Sequence, residues 1–261
     1  MNISRFVVCT LLAAASATAA AQEADIPADE PETEMAVGME VGYSREAYRS
    51  YSGRVSAMPT VQFETQRFYL RGLSGGVKLY TAPDHSQELL LGTSYRAAPE
   101  FKPSRTDDDR LKILDQRKSS LTADLAYNLY TPLGNVETQI SQDLSNHSRG
   151  TRIQAQYSYF WQVSPAFALK PAAGAVYSSR RFNRYYYGIS AAEAARSGLE
   201  GHAPSASLQP YAAVSAEYRF APQIKLFANL RAERLAVSVR NSPLAGRSYR
   251  LEAATGVQYR F

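Results

Sequence analysis

Cysteine is almost absent from this chain: Cys9 is the only one in 261 residues, and it sits in an apolar run near the N-terminus. Beyond that run no disulfide can form and no thiolate can act as nucleophile or metal ligand. Histidine is scarce too, at three residues, and no pair stands at zinc-ligand spacing. Past Ala21 nothing approaches eighteen consecutive apolar residues, so no transmembrane helix is expected there. One sign of charge does not dominate either: 29 basic residues face 24 acidic ones. The net +5 is scattered along the chain, which argues against nucleic-acid binding.

What is present begins with a secretion signal. Met1–Arg5 carries one positive charge, Phe6–Ala15 is apolar, and Ala19-Ala20-Ala21 offers the small residues a signal peptidase reads. Residues 1–21 are therefore expected to be removed. Residues 22–35 form an acidic tail with Glu23, Asp25, Asp29, Glu30, Glu32 and Glu34, two prolines and no basic residue. Such a composition cannot bury a core, so a disordered periplasmic tail is expected.

Residues 36–261 read as strand after strand. The last fourteen residues alternate without a break. Tyr249, Leu251, Ala253, Thr255, Val257, Tyr259 and Phe261 share one face, and Arg250, Glu252, Ala254, Gly256, Gln258 and Arg260 share the other. An apolar, aromatic-rimmed face backed by a charged one fits a membrane barrel, with lipid outside and a polar lumen inside. A mean hydropathy of -0.33 is no objection, since only one face of each strand meets lipid. Short turns (Thr131–Asn135, Ser164-Pro165, Ala221–Gln223) alternate with long polar loops (97–118, 178–207, 237–247). The fold class expected is all-β, an antiparallel transmembrane β-barrel. Eleven segments are clear, but both termini should be periplasmic and the count even. Dividing Phe68–Tyr80 at Ser74-Gly75-Gly76 makes twelve strands, with ten as the alternative.

The inward faces carry Glu40, Glu64, Arg96, Asp124, Glu217, Arg219, Arg231, Glu233, Arg250, Glu252 and Arg260. Opposite charges facing each other should pair across the lumen. Two readings follow: a filled, rigidifying interior, favoured for a barrel this narrow, or a narrow pore that selects solutes by charge. Arg180, Arg181 and Arg184 lie in a long loop that should face lipopolysaccharide phosphates, which arginine pairs recognise well. The neighbouring Tyr185, Tyr186 and Tyr187 either anchor at the outer interface or fold over the mouth as a lid.

Catalysis finds little support. His85, His147 and His202 fall in polar loops and read as solvent-exposed, and Asn146-His147-Ser148 cannot hold triad geometry by itself. Asp107-Asp108-Asp109 lacks the glycine turn of a calcium loop and reads as a solvated charge cluster. No enzyme, no metal and no cofactor are expected.

One stretch resembles a known family. Tyr185-Tyr186-Tyr187-Gly188-Ile189-Ser190, continuing to Ser197-Gly198-Leu199, looks like the loop signature of the MipA/OmpV family of outer-membrane proteins. Within it, Tyr186, Tyr187, Gly188, Ser197, Gly198 and Leu199 carry the likeness. Pro59, Phe68–Leu73, Arg117–Ser120 and the Tyr-Arg-Phe terminus are also similar to that family, so the resemblance covers the barrel. The chain departs at Tyr48–Gly53, where the family has Tyr-x-Gly-Ser, and at His202, where it has an aromatic. Tyr259 and Phe261 match the terminal signal that the barrel-assembly machinery reads. The family's namesake is a non-enzymatic scaffold linking a murein lytic transglycosylase to a penicillin-binding protein. The resemblance thus implies a scaffold in the Gram-negative outer membrane, expected to be monomeric. A small-solute channel, or a surface adhesion or envelope-stress role, stands as the alternative.

Overall fold

The computed structural model describes residues 33–96 and 99–261. The expected signal peptide and most of the acidic tail lie outside the described residues. The first strands are β1 (Thr33–Arg45), β2 (Arg54–Thr65), β3 (Phe68–Arg71), β4 (Ser74–Thr81) and β5 (Gln87–Arg96). After the short helix α1 (Asp109–Lys112) come β6 (Ser120–Thr131), β7 (Gly134–Asp143), β8 (Thr151–Ser158), β9 (Trp161–Ser164) and β10 (Phe167–Ser178). Helices α2 (Arg180–Tyr187) and α3 (Ala191–Ser197) precede β11 (Ser207–Ala221) and β12 (Ile224–Arg234). Helix α4 (Val237–Arg240) and β13 (Tyr249–Arg260) complete the chain.

Every strand runs antiparallel to its neighbours, and β13 returns to pair with β1 from Ala36↔Arg260 to Arg45↔Leu251. The sheet is closed. Its thirteen segments make twelve staves, because β8 and β9 are one strand interrupted at Tyr159-Phe160. Pro171 explains the interruption. Its carbonyl accepts from the Tyr159 amide at 3.1 Å, so its ring nitrogen faces the same neighbour with no proton to donate.

Twelve strands were expected, with the extra turn at Ser74–Gly76. The turn lies at Gly72-Leu73 instead, where Gly72 takes a φ of 57° that other residues adopt at a cost. The strand before it is only four residues long. The expected tail also ends early, since Thr33, Glu34 and Met35 already pair with β2.

The period-two pattern sorts as anticipated. Tyr249, Val257 and Tyr259 are exposed on the outer wall, while Arg250, Glu252 and Gln258 are buried inside. Outward aromatics gather at two levels. Tyr43, Tyr95, Tyr177 and Tyr249 stand near the long loops, and Phe63, Phe68, Tyr80, Trp161, Tyr218, Phe220 and Tyr259 near the short turns. Two aromatic girdles around an apolar band mark the two faces of a membrane. All long loops gather at one end, and the short turns, apart from the mid-wall turn at Gly72-Leu73, lie at the other with Thr33 and Phe261. In outer-membrane barrels the short turns face the periplasm.

The closing seam is tight. A β-carbon added at Gly38 would run into the Val257 carbonyl oxygen and lie 2.8 Å from the Thr60 hydroxyl. Replacing Gly38 with valine is expected to lower the urea midpoint of the vesicle-embedded barrel, or to prevent assembly. An unchanged midpoint and heat-shifted gel band would contradict this account of closure.

Candidate functional site

Charged and polar side chains fill the lumen in two tiers. Near the short turns, Arg71 grips Glu64 with two bonds of 2.7 and 3.0 Å. Lys78 bridges Glu64 and Glu88 at 3.1 and 3.7 Å, Lys170 reaches Glu137 at 2.9 Å, and Lys225 reaches Glu217 at 3.3 Å. Near the loops, Glu233 lies 3.2 Å from both Arg231 and Arg250. Asp124 accepts from Ser94 and Thr122 there, and Arg96 donates to Ser141 at 3.1 Å. Burying a charge without a partner is costly, so this pairing is what makes the inward faces tolerable.

The ion pairs lie along the wall, within one stave or between staves one or two apart, where the expectation had them crossing the lumen. A longer reach is a hydrogen bond, Arg231 of β12 to Gln154 of β8 at 3.4 Å, while Tyr211 of β11 reaches Gln156 of β8 at 2.7 Å over one intervening stave. Arg219 is only half-buried, and Arg260 lies at the turn-end rim, exposed and 3.5 Å from Glu34.

Three buried carboxylates on one side of the upper lumen are exceptions to the pairing. Neither oxygen of Glu40 or of Glu46 finds a hydrogen-bond partner among the described residues. Glu252 accepts no hydrogen bond, although Arg250 Nε stands 3.4 Å away. Glu46 lies in the loop just beyond β1. Burial pushes its carboxyl up to about 7, with Arg250 opposing that rise and Glu252 and Glu233 adding to it.

The mouth is closed by a lid with its own apolar core. Tyr48 and Tyr51 from the first loop, Phe101, Leu111 and Leu114 from 97–119, Phe182, Tyr186, Tyr187 and Ile189 from 179–206, and Val239 and Leu244 from 235–248 pack together. Ring centroids of Tyr48 lie 5.1 Å from Phe101 and 5.6 Å from Tyr187. The buried pair Arg117–Glu193 pins two loops at 2.7 Å. Burial works against ionising Glu193, but the Ser190 amide and Arg117 outweigh it and hold its carboxyl below the usual range. Tyr48 donates to the Tyr186 carbonyl at 3.3 Å, Tyr186 to the Lys118 carbonyl at 3.0 Å, and Ser242 to the Tyr187 carbonyl at 2.6 Å.

The tyrosine run is therefore a lid element. On α2, Phe182, Asn183, Tyr186 and Tyr187 face inward while Arg180, Arg181 and Arg184 are exposed outward. Of the resembling loop residues, Gly188 supplies a carbonyl to Arg117, Ser197 donates to the Glu193 carbonyl, and Gly198 ends α3 at a φ of 67°. Leu199 joins the lid core. Tyr259 and Phe261 stack edge-on at 5.1 Å on the outer wall. Two histidines read as solvent-exposed are half-buried staples: His147 bonds the Ser119 carbonyl and His202 the Ser238 carbonyl, each at 2.8 Å. Asp108 caps α1, and no group that could hold a metal converges among the described residues.

The pattern reading missed Arg71, Lys78, Glu88, Glu137, Arg152, Lys170 and Lys225, although each lies on an inward face. It also missed the lid core. Phe101, Leu111, Leu114, Val239 and Leu244 are more apolar than solvated loops need, and Ser190 with Glu193 forms a capping box legible in sequence.

A family model described as MltA-interacting protein MipA matches residues 37–261. The MltA-interacting protein of Escherichia coli K12 is 32% identical over 230 residues, 88% of this chain and 91% of that protein. The 24 kDa outer membrane protein of Pasteurella multocida is 23% identical over 201 residues, 74% of this chain and 77% of that one. Among solved structures, the NanC porin aligns with a TM-score of 0.42 at 10% identity, covering 87% of this chain and 100% of its own.

The unpartnered Glu46 has a consequence for pH. A carboxyl held above its unfolded value destabilises the folded state increasingly as pH rises from about 4.5 through 7. Glu46→Gln removes that cost, on the order of 3 kcal/mol well above pH 7. Its urea midpoint is expected to exceed the parent's at pH 8 and to converge with it near pH 4.5. A variant less stable than the parent at pH 8 would contradict this.

Proposed function

The chain belongs to the MltA-interacting protein MipA family of outer-membrane proteins, and on that footing we propose that it is a non-enzymatic binding scaffold. Its docking surface is the periplasmic end, built from the short turns and the acidic segment 22–32. The partner class is a murein lytic transglycosylase, with a penicillin-binding protein as a second. What supports this most is the 32% identical relative, whose name states an interaction with MltA. The paired, buried lumen and the lidded mouth agree with a barrel that presents surfaces rather than passing solutes. Export through cleavage after Ala21 would bring the acidic segment to the periplasm.

Purified barrel in vesicles, with the turn end accessible, should bind a lytic transglycosylase from its own cell saturably in surface plasmon resonance. Removing residues 22–32 should weaken binding severalfold, and undiminished binding would remove the segment from the docking surface. No binding by the intact chain would overturn the scaffold reading.

The opposite end carries a separate proposal. Arg180, Arg181 and Arg184 project from α2 away from the lid core and suit the phosphates of lipopolysaccharide. Changing all three to glutamine should reduce co-purifying lipopolysaccharide without moving the folded gel band. Equal lipid content would discard that role.

A further inference from the structure

The barrel wall is incomplete where the β3–β4 hairpin stops short. β3 pairs only with Gln62, Phe63 and Glu64 of β2, and the last contact above them is the Gly72 amide on the Val61 carbonyl at 2.8 Å. Backbone direction alternates along a strand, so Pro59, Ala57 and Val55 point their polar groups the same way as Val61. Among the described residues none of them has a backbone partner on that side. Pro59 has no amide proton to leave open there, which is how proline suits a sheet edge.

The gap lies at the depth of the lipid-facing surface. Register with β1 sets Val55, Ala57 and Pro59 opposite Tyr43, Val41 and Met39, all in the outward row. Lipid cannot satisfy open backbone groups, so an unfilled edge at this depth calls for a polar occupant or a water-filled recess. Behind the gap is a cavity of about 190 Å³. Its lining includes Leu73 and Tyr95, which are exposed on the outer wall, Arg54 and Met58 of β2, and the buried Glu46 and Glu252. A cavity of roughly 150 Å³ holds a benzene ring, so this one admits a small organic molecule.

The inner end specifies the chemistry. Glu46 is 5% exposed and Glu252 1%, and neither accepts a hydrogen bond. Arg250 Nε stands 3.4 Å from Glu252 but its guanidinium is shared with Glu233, and the cations at the rim are engaged elsewhere. Arg54 and Lys102 both lie on Glu100, at 3.4 and 3.3 Å. Arg105 donates to the Ser52 carbonyl and stacks 4.7 Å over Tyr51. An ammonium brings three N–H donors to carboxylates that lack them. A metal ion is less suited, since no group of three ligating side chains converges among the described residues.

We propose that the wall gap and its cavity form a lateral binding site for a primary amine carried on an apolar body. The ammonium sits between Glu46 and Glu252, and the apolar body lies along Met58, Leu73 and Tyr95 toward the outer half of the membrane. The proposal is independent of the scaffold reading, because the site opens at the other end of the barrel.

The full chain in phospholipid vesicles can be titrated with dansylcadaverine, an amine on an aromatic body, and with a dansyl carboxylate of similar size. Saturable binding of the amine, with a blue shift, is expected, and at least tenfold weaker binding of the acid. Glu46→Gln should weaken the amine tenfold or more, and Ser56→Trp, at a residue lining the cavity, should abolish binding. Should Ser56→Trp fail to assemble, Glu46→Gln still decides, since it removes charge without adding bulk. Equal affinity for the two probes, or amine affinity unchanged in Glu46→Gln, would overturn the proposal.

Discussion

A membrane offers no water to a peptide group, and the architecture follows from that constraint. Each N–H and C=O at membrane depth needs an internal partner, so a sheet crossing lipid must close on itself. Here the closure is the ten-residue register between β13 and β1. Once closed, the sheet has one face in lipid and one in a narrow lumen. Polar residues of the alternating strands are then forced together inside. The tiers around Glu64 and Glu233 are the answer: their charges are met by a neighbour on the same, an adjacent or a next-adjacent stave, and Glu40, Glu46 and Glu252 are the exceptions. The same constraint makes the short β3–β4 hairpin significant, because above it the β2 edge has no backbone partner among the described residues.

The lid obeys different physics. Outside the membrane the loops are wet, and ordering them requires a hydrophobic core of their own. Burying each large apolar side chain there contributes roughly 1.5–3 kcal/mol, set against the entropy of fixing long connections. Arg117 and Glu193 add a buried pair whose loss from one side would leave a bare charge. The barrel is thus held by a polar interior below and an apolar core above, the reverse of the usual soluble arrangement.

Much of the barrel was legible in the sequence because alternation is a strong and local signal. It assigned Arg250, Glu252 and Gln258 to the lumen and Val257 and Tyr259 to lipid, and the requirement that both termini be periplasmic turned its eleven segments into an even number of staves. What alternation cannot report is register, and register decides neighbours. Thus Glu64 was read as a lumen charge, while its partners Arg71 and Lys78 went unremarked. The turn at Gly72-Leu73 hid behind the more glycine-rich Ser74–Gly76, which the structure uses as the start of β4. His147 and His202 looked exposed because their partners are backbone carbonyls of loops distant in sequence. Order in the loops was foreshadowed by the lid reading of Tyr185, Tyr186 and Tyr187, while the capping box at Ser190 and Glu193 went unread.

The claim on which the rest depends is that the lumen is filled by paired side chains and its mouth is closed. Single-channel recording of the folded barrel in planar bilayers tests it directly. The account predicts a silent membrane at either polarity, with folding confirmed by the heat-shifted gel band. Reproducible conductance steps that follow barrel insertion would contradict it.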